Sequence, residues 1–171
     1  PLPQPAEAPP AAAAVTPAAA PAIVLPQIPR QPALETAVTA RMDHGSTSAA
    51  LHLIAARKGI SAAYASLLRG EVARSLLTRN DDVGSLQVAH LADREAPPGD
   101  DVGLAAYVGG LAAWRLGDIA EARRLFGHAA TAKRASPRVR AAAAFWSARA
   151  ADEAQDPADA KHWLRQAATW A

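Results

Sequence analysis

The sequence predicts an all-α fold, an α-solenoid of about four antiparallel helix pairs with a 38-residue period, preceded by a disordered Pro/Ala-rich tail. Three observations predict it. First, two stretches align without a gap at a separation of 38 residues. Ala105 to Ala130 reads AAYVGGLAAWRLGDIAEARRLFGHAA and Ala143 to Ala168 reads AAFWSARAADEAQDPADAKHWLRQAA. Nine of the 26 positions are identical, but eight of those are Ala, so the matching residue types weigh more. Tyr107 meets Phe145, Asp118 meets Asp156, Arg123 meets Lys161, and Leu125-Phe126 meets Trp163-Leu164. Self-similarity at a period of roughly 20 to 50 residues marks units that bury their faces by stacking on each other. Second, no alternating β-branched run exists, and aromatic residues are only 5% of the chain, so strand signals are lacking. Third, helix breakers and caps fall where helix ends should be.

The elements follow in order. Ten of the 14 prolines lie within the first 32 residues, among Ala and almost no charge. Residues 1–33 therefore read as a disordered, partly polyproline-like linker, and residues 34–171 as the helical repeat domain. A weak first helix is expected from about Ala33 to Met42, ending before His44-Gly45. Ser46 can cap a second over about 47–58, stopped by Gly59. Ser61 can cap a third over about 62–79, in which Gly70 costs about 1 kcal/mol relative to Ala. Asn80 or Asp81 caps a fourth, which Pro97-Pro98-Gly99 terminates. Asp100-Asp101 opens a fifth that runs to about Leu116, with Gly117 in the usual place after a helix. Asp118 caps the sixth, and Glu121 three residues on completes a capping-box pattern. Ser136-Pro137 starts the seventh and Asp156-Pro157 the eighth, each a cap followed by Pro at the first helical position.

Followed backward, the 38-residue step carries Asp118 to Asn80, and Ala122 to Gly84 and Ser46. It carries His128 to His90 and His52. Small residues at Ser46, Gly84, Ala122 and Ala160 are thus expected where helix axes approach closely, as Gly110 and Ala148 are in the partner helices. The larger residues of each stripe, such as Leu125-Phe126 and Trp163-Leu164, then fill the gaps between pairs.

Composition excludes several function classes. The 18 basic and 16 acidic residues are well mixed and give a net charge of +2, so no nucleic-acid footprint stands out. Cysteine is absent, which removes disulfides and thiolate metal sites. The apolar run Ala22-Ile23-Val24-Leu25 is too short and too Pro-broken to span a membrane. With no initiator Met, basic n-region or apolar h-region, the chain reads as a processed or excised piece.

Candidate chemistry is sparse. Glu71, Glu95, Glu121 and Glu153 are the acids of this type outside the tail and first helix. Glu121 is explained by the helix start and Glu153, beside Asp152, by solvation. No pair is spaced to act as acid and nucleophile. His52, His90 and His128 could form a ladder along one surface, with His44 and His162 outside it. Stacked helices about 8 to 10 Å apart would keep the three from converging on a metal, so a surface row is the expected reading. Trp146 and Trp163 lie on apolar stripes and read as packing residues. Trp114 and Trp170, near helix ends, are open to a sugar-stacking role. Arg123-Arg124, Lys133-Arg134 and Arg138 with Arg140 give a modest basic face, solvated or anion-binding. No phosphate loop, Ser/His/Asp arrangement or nucleotide fingerprint is present. No catalytic, cofactor-binding or metal residue is therefore assigned.

The segment from about Leu68 to Trp170 resembles the superhelical region of soluble lytic murein transglycosylases. The words that carry it are GLAAWRLGDIAEARRLFGHAA and AAAAFWSARAADEAQDPADAKHWLRQAAT, above all Phe145-Trp146, Ala148-Arg149-Ala150 and Trp163-Leu164 with Ala167-Ala168. The resemblance implies an α-superhelical scaffold of a periplasmic protein acting on the glycan strands of peptidoglycan. In that family a separate lysozyme-like domain does the cutting, with a catalytic Glu followed by Ser. No Glu-Ser dipeptide occurs in this sequence, since its six Glu residues precede Ala, Thr or Val. What the resemblance implies is scaffold without catalytic residues, its partners being peptidoglycan or the missing catalytic domain. The alternative is a tetratricopeptide-like adaptor that holds a protein partner on its concave face. A stand-alone enzyme lacks any converging polar constellation.

Overall fold

The computed structural model describes residues 27–97 and 99–170. Eight α-helices and no strand occur among them, so the fold is all-α as the sequence predicts. In chain order they are α1 (Pro32–Asp43), α2 (Thr47–Ala56), α3 (Ala62–Thr78), α4 (Asp82–Glu95), α5 (Leu104–Arg115), α6 (Ile119–Thr131), α7 (Pro137–Glu153) and α8 (Pro157–Trp170). Most of the expected caps are in place. The side chains of Ser61, Asp81, Asp118, Ser136 and Asp156 accept the backbone N–H three residues on, at 2.9–3.2 Å. Each satisfies one of the helix's orphan donors.

Three expectations are corrected. Ser46 makes no side-chain cap, so α2 starts without that bond. The fifth helix begins at Leu104 and not at Asp100-Asp101. The Asp101 carboxylate accepts the Gly103 N–H at 2.8 Å, and Gly103 takes a left-handed φ of 70°, so Asp101 builds the turn before the helix. The expected linker also ends sooner. Residues 1–26 lie outside the described residues, but Ile28 already packs on the core. The buried Tyr64 hydroxyl accepts the Gln31 N–H at 2.9 Å and donates to Glu35 Oε1 at 2.7 Å, which pins the entry to α1.

The repeat is real at the turns but its period is not constant. Asn80, Gly117 and Gln155 hold the left-handed position after α3, α5 and α7, with φ of 63°, 81° and 58°. The residue after each, Asp81, Asp118 and Asp156, caps the next helix. Counted from these caps and from Ser46 before α2, successive units are 35, 37 and 38 residues long. A uniform 38-residue step therefore holds only between the last two units and slips by one at Asn80. The small packing position lies four residues after each cap, at Ala50, Ser85, Ala122 and Ala160, all buried. Ser46 and Gly84, expected there, lie elsewhere; Ser46 is exposed. Ser85 keeps its hydroxyl in the core by donating to the Ala73 carbonyl at 3.0 Å.

Every helix contacts its sequence neighbours, and α1, α3, α5 and α7 also touch in succession. The even helices α2, α4, α6 and α8 do not approach one another within 8 Å between Cα atoms, so they lie more widely spaced. No helix among the described residues touches one more than two elements away. The N-terminal core holds Leu34, Val38, Ile54, Tyr64, Leu68 and Val72. The C-terminal core is mostly Ala, and a few rings fill it. Phe126, fully buried, stacks on Trp146 at 5.8 Å between centroids, and Trp114 meets Trp146 edge-on at 5.5 Å. Gly110 makes room for Phe126, since a Cβ there would lie 2.6 Å from the ring.

Candidate functional site

The wide spacing of the even helices creates three joints, and the side chains at each differ. At the α6–α8 joint Arg123 reaches across to Asp156 at 2.6 Å and Asp159 at 2.7 Å. Asp159 Oδ2 also accepts the Trp163 indole N–H at 3.2 Å. The joint is closed by a permanent cation and by an aromatic ring laid against Gly127.

The α4–α6 joint is closed by a network that contains two histidines. His90 Nε2 lies 2.7 Å from Glu121 Oε1, and Arg124 grips Glu121 at 2.8–2.9 Å and Asp93 at 3.2 Å. The His128 ring sits between two carboxylates, with Nδ1 2.9 Å from Asp93 Oδ1 and Nε2 2.8 Å from Asp101 Oδ2. Asp101 Oδ2 is buried, and the His128 Nε2 is the charged-group neighbour that faces it. Contact with Asp101 raises the His128 pKa above its ordinary value against the opposing effect of burial. Burial pushes the Asp101 carboxyl up, but His128 and the Gly103 N–H together outweigh it and leave it below the usual carboxylate range. Arg124, with His90, lowers Glu121 to about 2. The expected capping box is thus half formed. The Glu121 backbone N–H is capped by Asp118, while its carboxylate serves the joint.

The α2–α4 joint is open. Among the described residues no ion pair or side-chain hydrogen bond crosses it. In its place a groove of about 590 Å³ runs between the two helices over α3. Leu51, Leu76, Val88 and Leu91 give it an apolar middle. Arg69, from the floor helix α3, is 8% exposed and pairs through one Nη with Glu95 of α4. Arg94 stands exposed on the same rim and makes no ion pair among the described residues. Small side chains on its walls, Ser48 and Ala55 of α2 and Gly84 of α4, leave the space open.

The sequence candidates distribute as follows. His52, His90 and His128 share a numerical spacing but not a structural position, because the period slips. They lie six, nine and ten residues after their caps, and only the latter two enter the joint network. No group of three metal-ligating side chains converges among the described residues. Trp146 and Trp163 pack, as expected; Trp114 packs too, against Trp146. Trp170 lies under the Arg140 guanidinium at 4.6 Å. Of the basic face, Arg123 and Arg124 are spent on joints, and Arg140 also donates to the Ala132 and Lys133 carbonyls. Glu71 pairs with Arg74 on α3. Sequence reasoning missed Arg69 and Arg94. The one available signal was an arginine between Leu68 and Val72 on an otherwise apolar helical face.

The fold and these joints define an all-α protein of consecutive helical hairpins whose polar side chains mostly link one hairpin to the next. No protein-family model matches the chain, and no curated protein matches it. No helix among the described residues is long and apolar enough to cross a membrane.

Proposed function

We propose that the chain is a non-catalytic helical-repeat scaffold serving peptidoglycan processing in the periplasm. The observation that supports the scaffold reading is how the ionisable groups are used. Among the described residues the acids and histidines that come together meet partners across a joint, at a cap or in an ion pair, and the two acids of the groove, Asp81 and Glu95, stand at its opposite ends as a helix cap and the partner of Arg69. The cell-wall context rests on the resemblance of the segment from about Leu68 to Trp170 to the superhelical region of lytic transglycosylases. Co-sedimentation with purified sacculi tests it: the protein should pellet with them and stay in the supernatant without them. A protein that remains soluble beside sacculi contradicts the cell-wall part of the reading.

A second reading, the tetratricopeptide-like adaptor, is favoured by one specific observation. The groove between α2 and α4 holds about 590 Å³ and has an apolar middle, which suits a short peptide segment. A single stoichiometric protein partner with no affinity for glycan would support that reading over the first.

A further inference from the structure

We infer that the groove between α2 and α4 binds an apolar peptide segment of a partner protein by its carboxylate end, with Arg69 and Arg94 holding the carboxylate. The inference rests on the scaffold reading above and names what its open joint recognises.

The direction of the groove comes from the helices that form it. Thr47, at the start of α2, and Asp81 with Gly84, at the start of α4, lie at one end. Ala55, at the end of α2, and Arg94 with Glu95, at the end of α4, lie at the other. The space is therefore an aisle along two helices that run the same way, and the leucine and valine side chains of its middle suit an apolar chain laid lengthwise.

Charge distinguishes the two ends. That end holds two guanidiniums, Arg69 and Arg94, against one carboxylate, Glu95, which pairs with Arg69 alone, so it carries a surplus positive charge. Arg69 is the more telling of the two. Its side chain is over nine-tenths buried, one Nη meets Glu95, and its other N–H groups have no acceptor among the described residues. They are not among the buried orphan atoms, so they open on the groove. A guanidinium held this way presents a fork that a carboxylate fits with two parallel hydrogen bonds. At the opposite end the Asp81 carboxylate accepts the Gly84 N–H on one oxygen, and its presence disfavours a second carboxylate there. The apolar middle and the two unlike ends together select a segment that enters past Asp81 and finishes at Arg69.

The test uses isothermal titration calorimetry of the full chain with a short N-acetylated leucine–alanine peptide, once with a free C-terminal carboxylate and once as the amide. The acid should bind about tenfold more tightly than the amide, the size of one charge-assisted contact. Arg94→Gln, at an exposed position, should weaken the acid by a similar factor and leave the amide unchanged. Ala55→Trp, which fills the aisle from an exposed wall, should abolish both while the melting curve is kept. Equal affinity for acid and amide, binding that survives Ala55→Trp, or no binding of the acid would each overturn the inference. Peptide binding that fails while sacculi still pellet the protein removes this inference alone. Sacculi that fail while the peptide binds remove the cell-wall reading alone.

Discussion

Gly110 and Phe126 show how little room a core made of alanines leaves. A Cβ on Gly110 would lie 2.6 Å from ring atoms that are fully buried and stacked on Trp146. Gly110→Ala should therefore destabilise by about 1–3 kcal/mol, the usual cost of overpacking, although alanine is the better helix former. Ala122→Leu should cost a similar amount, and thermal melting measures both. His128 carries a second prediction. Its protonated form is favoured by Asp101 and Asp93, so its contribution is fully present below the ordinary histidine value of 6.5 and is lost as pH rises through the folded value. Asp101 and Glu121 shift the other way, so their contributions hold above the ordinary carboxylate range and fade as pH falls through the folded values, about 2 for Glu121. The melting temperature should fall as pH rises above the ordinary histidine value, about 6.5, and His128→Gln should flatten that fall. A wild-type protein that melts higher at the alkaline end contradicts the assignment. At this scale the sequence was least legible. Glu121 fits a capping box by spacing, yet Arg124 one turn on and His90 from another helix take its carboxylate.

The helices themselves were readable because their ends obey local chemistry. Ser61, Asp81, Asp118, Ser136 and Asp156 needed only their own next three residues to act as caps. Ser46 had the same residue type but no bond, and Asp101 turned the chain before α5 with the help of Gly103. The constant period failed for a related reason. Helix lengths vary, with 10 residues in α2, 14 in α4 and 13 in α6, as do the connections between hairpins, while the buried small residue stays four places after each cap. A fixed offset of 38 therefore tracks the last two units, misses the Asp81 cap by one residue and falls four short of Ser46. Asp118→Ala should cost about 1 kcal/mol, whereas Ser46→Ala should change stability by a few tenths at most. Equal losses at the two positions, read by denaturant melts, would contradict the cap assignments.

At the scale of the molecule each hairpin leans on its neighbours and, among the described residues, on no helix further along the chain. Two of the three joints between even helices are cross-linked by charge, through Arg124 with His128 and through Arg123, and the third holds a groove instead. In hydrogen exchange α2, more thinly packed on its two neighbours than α4 and α6 are and tied to α4 by no ion pair, should open before them. The apolar residues that pack one unit against the next end in a face where Phe145 and Leu164 stand 45% and 52% exposed. The all-α class was legible because breakers and caps recur. The groove was not, because it depends on two helices, α2 and α4, that share no contact, and on Arg69 meeting a carboxylate 26 residues away. We propose this assembly as a scaffold rather than a catalyst. Incubating the purified chain with peptidoglycan sacculi and measuring soluble glycan fragments by chromatography tests it most directly. No fragments above the buffer control are predicted; fragments that accumulate with time and protein concentration would contradict it.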